Sequence, residues 1–237
     1  APPEAFKAFR HAWGLDQPIW VQYLKYFNAI FHGDLGNSMR DGRSALQVVG
    51  ERIPLTLAIT IPALFLKVLI GLPAGVYAAL HRNTAIDRLI MTLSVFGFTV
   101  PSFVLGLVLA MIFAVKLGWL PSGGSDTWLH AVLPIFTMGM IGAAVIARFT
   151  RSAMLEVLGQ PYIRTASAKG LVWREVVVAH ALPNAAIPTL TIVGFMVGSL
   201  VAGAVVVESV FSWPGVGRLL YGWVDPRLRT KRLQAGT

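Results

Sequence analysis

The sequence has no cysteine and few charged residues. The absence of cysteine among 237 residues excludes disulfides and thiolate metal sites. Charged side chains make up 13% of the chain, against about 25% in an ordinary soluble domain. Because 55% of the residues are also hydrophobic, this balance indicates a protein that is solvated largely by lipid.

Short catalytic and nucleotide-binding motifs are missing as well. HExxH, GxxxxGK(S/T) and GxSxG do not occur, and the five histidines lack metal-ligand spacing. We therefore expect no catalytic residue, no metal site and no cofactor bound by this chain. The net charge of +9 does not indicate nucleic-acid binding, because the basic residues lie between apolar stretches rather than on a polar domain with interspersed aromatic residues.

Four apolar stretches are long enough to cross a bilayer, which takes about 20 residues in a helix. They run from about 55 to 80, 89 to 117, 129 to 147 and 185 to 207. Prolines such as Pro101 lie inside them, and membrane helices tolerate proline where neighbours satisfy the freed backbone groups. The sequence predicts an all-α, polytopic membrane protein built as a helical bundle.

The charges of the loops predict the orientation, since cytoplasmic loops are enriched in Lys and Arg. The loop between the third and fourth stretches is predicted to be cytoplasmic because of its basic residues: Arg148, Arg151, Arg164, Lys169 and Arg174. Residues 118–130 contain neither Lys nor Arg and are predicted to lie outside. Residues 1–53 then form an extracytoplasmic segment, followed by a transmembrane domain over 54–220.

The basic tail at 221–237 does not fit this alternation. Its four Arg and Lys residues are typical of a cytoplasmic end, yet no apolar stretch separates it from the outer end of the fourth span. Either the tail lies outside against the charge rule, or a span is missing between 220 and 221. The extracytoplasmic segment likewise has no helix before it as an anchor, so we expect one further helix at each place.

The cytoplasmic loop over 148–184 predicts a short helix that lies across the membrane exit. Pro161 suits the first turn of a helix, and Gly170 suits its end. One side of this helix is predicted to carry four residues: Tyr162, Ile163, Ala166 and Gly170. Such a helix could transmit a push from a soluble partner to two spans. Spacing alone leaves open a solvated basic loop that only sets the topology.

The same loop resembles the coupling loop of ABC-importer permeases. That pattern is Glu-Ala-Ala, three residues, Gly, nine residues, Ile, one residue and Leu-Pro. Here RTA at 164–166 is followed at the same spacing by Gly170, His180 and Leu182-Pro183. The arginine, threonine and histidine that depart from the pattern resemble the dipeptide/oligopeptide (peptide/nickel) branch, where YIRTA-x-AKGL occurs.

The resemblance extends in order along nearly the whole chain. Segments similar to that branch lie at 14–24, 33–39, 51–57, 100–106, 117–124, 208–220 and 224–229. The resemblance implies a type I ABC-importer permease fold with six spans, of which four occur here. The two others fall at the places where the loop charges indicate a missing helix.

The resemblance implies a subunit of an ATP-driven, binding-protein-dependent importer in the bacterial cytoplasmic (inner) membrane. The expected partners are a second permease subunit, two ATP-binding subunits that carry ATP and magnesium, and an extracytoplasmic solute-binding protein. The loop is expected to contact an ATP-binding subunit through these residues: Tyr162, Ile163, Arg164, Thr165, Ala166, Lys169, Gly170, Leu182 and Pro183. The chain would be a transport subunit without an ATPase site of its own.

The expected substrate is a di- or oligopeptide, and members of the branch that move nickel, glutathione or opine-like solutes supply the alternatives. A membrane scaffold and an intramembrane hydrolase are the alternatives from other classes. A hydrolase needs paired acids or a Ser/His pair at membrane depth, and the sequence shows neither. Co-purification of ATPase subunits would separate an importer from both.

Two further places are candidates for the pathway or gate. Lys67 lies mid-span, where a charge costs about 2.5–3.5 kcal/mol on insertion scales. It is predicted to face the pathway, or else to face another permease subunit or to snorkel. Glu208, Phe211 and Trp213 follow the fourth span and are predicted to form part of the outer gate or the seat of the binding protein. The alternative for these three is a re-entrant or interfacial loop.

Overall fold

The computed structural model describes residues 16–36 and 42–224, and at 221–224 only the backbone. Two compact units divide the chain between Glu51 and Arg52. The first unit contains α1 (Ile19–Phe31), followed by a turn in which Asp34 Oδ1 accepts a hydrogen bond from the Gly36 N–H at 2.8 Å. The predicted tail beyond residue 224 lies outside the described residues.

The described part of the chain is dominated by helices. In chain order these are α2 (Ala45–Leu80), α3 (Ala85–Thr99), α4 (Ser102–Leu109) with a π-helical continuation (Ala110–Lys116), α5 (Leu129–Leu158), α6 (Pro161–Ala168), α7 (Trp173–Glu175) with a π-helical turn (Val176–Ala181), α8 (Leu182–Gly198), α9 (Leu200–Val210) and α10 (Val216–Val224). Within the described ranges, three helical stretches are long and apolar enough to cross a membrane, or four if α3 and α4 form one bent span. The predicted all-α, polytopic membrane fold is confirmed.

The predicted second span is broken rather than straight. The segment α3 and the segment that begins with α4 are bent by 103° at their junction. Val100 has extended backbone angles of φ −74° and ψ 122°, because the ring of Pro101 disfavours the α conformation in the residue before it. The expectation that the helix tolerates its prolines holds for Pro62 and Pro73, which lie inside α2, and is wrong for Pro101.

Close backbone contact joins α2 to α5. A Cβ added at Gly71 would lie 2.7 Å from the Cβ of Ile146, and one added at Gly75 would lie 2.5 Å from a carbonyl oxygen of α5. These two glycines therefore form a small-xxx-small contact that lets the two helices approach. Gly194 and Gly198 on α8 have the same spacing, but a Cβ at either position meets no atom of the described chain within 4 Å.

Candidate functional site

A proline marks the start of α6, and a glycine follows its end. Pro161 occupies the first turn of the helix, where its missing N–H costs no hydrogen bond. After the helix, Gly170 adopts a φ of +86°, the left-handed conformation that glycine takes at little cost beyond a helix end. Both boundaries agree with those predicted from the sequence.

The inner face of α6 is buried against several other helical segments. Ile163 and Ala166 are 2% and 7% exposed. They pack in a cluster with residues of α2, α5, the π-helical turn and α8: Ala79, Ala153, Met154, Val176, Val177, Ala181 and Ala185. We call this cluster the loop core. Burial of a side chain such as that of Ile163 contributes about 1.5–3 kcal/mol, so the loop core holds α6 firmly against the ends of three longer helices.

The predicted contact residues are divided between two faces. Ile163 and Ala166 lie in the loop core, so the prediction that they share one side with Tyr162 and Gly170 is wrong. The buried face is narrower than helical spacing predicted, since Tyr162 is 42% exposed although it lies four positions before Ala166. Gly170 lies beyond the helix end. Exposed members of the predicted set are Tyr162, Arg164, Thr165, Lys169, Gly170 and Pro183, and Leu182 is half-buried.

Three exposed apolar residues follow Gly170 directly, and sequence reasoning missed them. Leu171, Val172 and Trp173 are 39%, 61% and 54% exposed. An apolar triplet inside a polar, basic loop is the signal that could have found them, since contiguous exposed apolar patches mark interaction sites. We call these three residues, together with the exposed residues of α6 and its end at 162, 164, 165, 169 and 170, the loop surface.

Lys67 lies half-buried where α2 packs against α5. Its methylene stem covers Gly142, and a Cβ at Gly142 would overlap that stem. Within the described part of the chain, no hydrogen-bond or ion-pair partner is found for its ammonium group. The structure thus leaves a positive charge without a counter-charge in the middle of a span. That this charge faces the pathway stays a prediction.

Glu208 is fully buried near the end of α9. Its carboxylate accepts hydrogen bonds from Thr56 Oγ1 at 2.6 Å and from the Arg218 N–H at 3.1 Å. The Thr56 hydroxyl in turn accepts one from the Val216 N–H at 2.9 Å. A Cβ at Gly215 would overlap the carboxylate. The group therefore ties α2 to the turn that follows α9, and we call it the Glu208 knot.

Phe211 and Trp213 belong to the same turn and are 1% and 5% exposed. The indole N–H of Trp213 donates to the carbonyl of Leu55 at 2.8 Å, and Arg52 donates to the carbonyl of Pro214 at 2.8 Å. Glu208, Phe211 and Trp213 lie close together in the structure, as their nearness in the sequence predicted. Their burial favours a fastening role over the lining of a passage, and the gate stays a prediction.

Comparison with known proteins gives a consistent assignment. Residues 71–227 match the family described as binding-protein-dependent transport system inner membrane component. The chain is 45% identical to the glutathione transport system permease protein GsiC of Salmonella paratyphi A and of Salmonella typhimurium, and 44% identical to that of Escherichia coli (strain K12). Each match runs over 227 residues and covers 96% of this chain and 74% of the relative.

The fold has a counterpart among solved structures. The crystal structure of an amino acid ABC transporter with histidines matches with a TM-score of 0.55 and 19% identity, over 75% of this chain and 79% of that one. At this identity the likeness concerns the fold alone. Because the family match covers about two thirds of the chain and the relatives match nearly all of it, the chain belongs to the inner membrane components of binding-protein-dependent transport systems and is a multi-pass permease subunit of a bacterial inner-membrane ABC importer.

Proposed function

We propose that this permease subunit forms part of the passage of an importer for short peptides, with glutathione, itself a tripeptide, as the first candidate. Permeases named for glutathione transport match 96% of the chain at 44–45% identity, which supports this choice. Those names do not extend to dipeptides or larger oligopeptides. Glutathione, an alternative from the sequence, therefore becomes the leading candidate within the broader class.

The importer is proposed to contain a second permease subunit, two ATP-binding subunits and an extracytoplasmic solute-binding protein. The sequence carries no GxxxxGK(S/T) motif to hold nucleotide phosphates. Where the structure describes the chain, His, Asp and Glu side chains form no group of three that could hold a metal ion. ATP and its magnesium are accordingly assigned to the ATP-binding subunits.

The loop surface is proposed to dock on one ATP-binding subunit. The single observation that carries this step is that α6 exposes one face while its other face is locked into the loop core. A push on the exposed face is then passed to α2, α5 and α8 together, since packed cores resist continuous deformation. Closure of the ATPase pair would in this way shift the permease between inward-open and outward-open states.

The apolar part of the loop surface is expected to supply more affinity than its charges. Arg164 and Lys169 are exposed, and exposed ion pairs contribute about 0.2–1 kcal/mol each. A fully buried aromatic or aliphatic side chain contributes about 1.5–3 kcal/mol. Trp173 and Val172 are therefore expected to act as anchors, with the two cations fixing orientation.

The composition and substrate of the complex can be tested together. Purification through a tag on this chain is expected to bring down two ATP-binding subunits and a second permease. Mass spectrometry of the solute-binding protein is expected to find glutathione or another short peptide bound. Recovery of the folded permease without any ATP-binding subunit would contradict the proposed composition of the complex. A bound nickel or opine-like ligand would contradict the substrate and leave the importer intact.

Replacing Lys67 tests whether the unpaired charge serves an anionic substrate. Lys67→Leu is expected to lower glutathione import by up to roughly five-fold, because a partly exposed charge pair contributes about 1 kcal/mol. Lys67→Arg keeps the charge and is the matched control, with import expected near that of the wild type. Import is measured in proteoliposomes containing the whole complex. Unchanged import by Lys67→Leu would favour a lysine that faces another subunit or snorkels.

A further inference from the structure

A two-bond ion pair joins the first turn of α3 to α5. Arg151 Nε lies 2.6 Å from Asp87 Oδ1, and Arg151 Nη2 lies 2.7 Å from Asp87 Oδ2. The side chain of Asp87 is 4% exposed and that of Arg151 is 22% exposed. Sequence reasoning used Arg151 only as a topology charge and did not single out Asp87, which lies 64 positions earlier.

The carboxylate of Asp87 is also held by its own loop. Asp87 Oδ2 accepts a hydrogen bond from the Asn83 N–H at 2.9 Å, and the Asp87 N–H donates to Thr84 Oγ1 at 3.3 Å. Thr84 is thereby the N-cap of α3. Because the same carboxylate bonds the loop backbone and the guanidinium, the start of α3 is fixed in orientation relative to α5.

Arg151 lies on the part of α5 that supports α6. Ala153 and Met154 belong to the loop core and contact the buried face of α6. Ala79, near the end of α2, belongs to the same cluster. The loop core thus reaches α2, α5 and α8 through apolar contacts, but no residue of α3 belongs to it. Other contacts also join α3 to α5, since Gly97 lies against Ala144 and the Arg148 guanidinium lies over the Phe98 ring. The ion pair is the directional contact that ties the first turn of α3 to the part of α5 beside the loop core.

Apolar and ionic contacts differ in what they allow during motion. Apolar burial is non-directional and sets no single distance or angle between two particular groups. An Arg–carboxylate pair with two parallel hydrogen bonds fixes distance and angle together. A nearly buried Asp is also costly to leave unpaired, which keeps the pair closed while the assembly moves.

We propose that Asp87 and Arg151 are positioning residues that make α3 move with the loop core when α6 is displaced. The inference rests on the proposed docking of the loop surface to an ATP-binding subunit. The pair would hold the first turn of α3 in fixed register with α5, so that the bent segment formed by α3 and α4 follows the loop core without slipping along α5. Loss of the pair should leave ATP hydrolysis in place and reduce the solute imported for each ATP.

The test uses the whole complex in proteoliposomes, with ATP hydrolysis and solute import measured on the same sample. Asp87→Asn and Arg151→Gln are expected to lower the solute imported per ATP by roughly five-fold or more, the lower limit of typical coupling between sites. Arg151→Lys keeps the charge but not the two-bond geometry, and a smaller fall is expected. Arg88→Gln is the matched control, since Arg88 is the next residue of α3 and is exposed. The import per ATP of this variant should not change.

The exchanged variant Asp87→Arg/Arg151→Asp tests whether the two side chains act through each other. It is expected to restore part of the import per ATP that either single variant loses. The inference is overturned if folded Asp87→Asn and Arg151→Lys complexes import as much per ATP as the wild type, or if the exchanged variant recovers nothing. If Gly170→Trp uncouples the complex while Asp87→Asn does not, the proposed function stands and only this inference fails.

Discussion

Replacing Gly170 by tryptophan is expected to uncouple ATP hydrolysis from import while the chain still inserts into the membrane. Two causes act together. The φ of +86° at Gly170 is unfavourable for a bulky residue by roughly 1–2 kcal/mol. The indole would also project from the middle of the loop surface, since a Cβ there meets nothing within 4 Å of the described chain. Import per ATP is expected to fall by roughly ten-fold or more, within the usual range of coupling energies.

The matched control separates backbone strain from bulk. Asparagine tolerates the left-handed conformation better than other non-glycine residues, so Gly170→Asn should keep most of the import per ATP. Binding of the ATP-binding subunit is measured alongside, by its recovery with the tagged permease. Normal import by Gly170→Trp would rule out a docking role for this surface. Equal loss in both variants would point to the backbone of the loop rather than to the docked surface.

Removing the buried carboxylate of Glu208 is expected to have the largest effect on stability. Glu208→Ala leaves Thr56 Oγ1 and the Arg218 N–H without their acceptor, at a cost of about 1–3 kcal/mol for each unsatisfied group. A cavity in place of the side chain adds to this cost. The turn that contains Trp213 is held to α2 by the Glu208 knot and by the Trp213 indole on the Leu55 carbonyl, so loss of the carboxylate should loosen this turn. The expected result is low yield and a clearly lowered unfolding temperature of the purified complex.

Ser209→Ala is the control for Glu208→Ala. Ser209 is the next residue, and its hydroxyl donates to the carbonyl of Val205 within its own helix, so its loss should change the unfolding temperature little. Glu208→Gln keeps an acceptor oxygen in a side chain of the same shape. Its unfolding temperature should therefore lie between those of Glu208→Ala and Ser209→Ala. A Glu208→Ala complex as stable as the wild type, with altered import, would instead assign Glu208 to the outer gate.

Several parts of the fold could be predicted because their signals are local. The apolar runs predicted the spans, and Pro161 and Gly170 predicted the limits of α6. The break at Pro101 was missed although proline restricts the residue before it. Pro62 and Pro73 remain inside α2, so the presence of proline does not decide between a tolerated kink and a broken span. That choice depends on whether neighbouring helices support the freed backbone.

The sequence predicted which segment forms the candidate site, but not which of its side chains are exposed. Spacing placed Ile163 and Ala166 on one face of α6, and nothing in the loop indicated that this face turns inward. Its partners are Ala79, Met154 and Ala185, which come from three other helices. The division between support and docking surface therefore depends on which helices pack beside the loop.

The sequence by itself determined that this protein is an all-α membrane protein with a short helix in a basic loop, because span length, loop charge and the placement of Gly and Pro act within single segments. The tertiary structure decided which side chains are available to a partner and which hold the bundle together. Asp87 meets Arg151 across 64 positions, and Thr56 meets Glu208 across 152. Such pairings exist only once helices distant in sequence are packed side by side, so no local pattern could have predicted them.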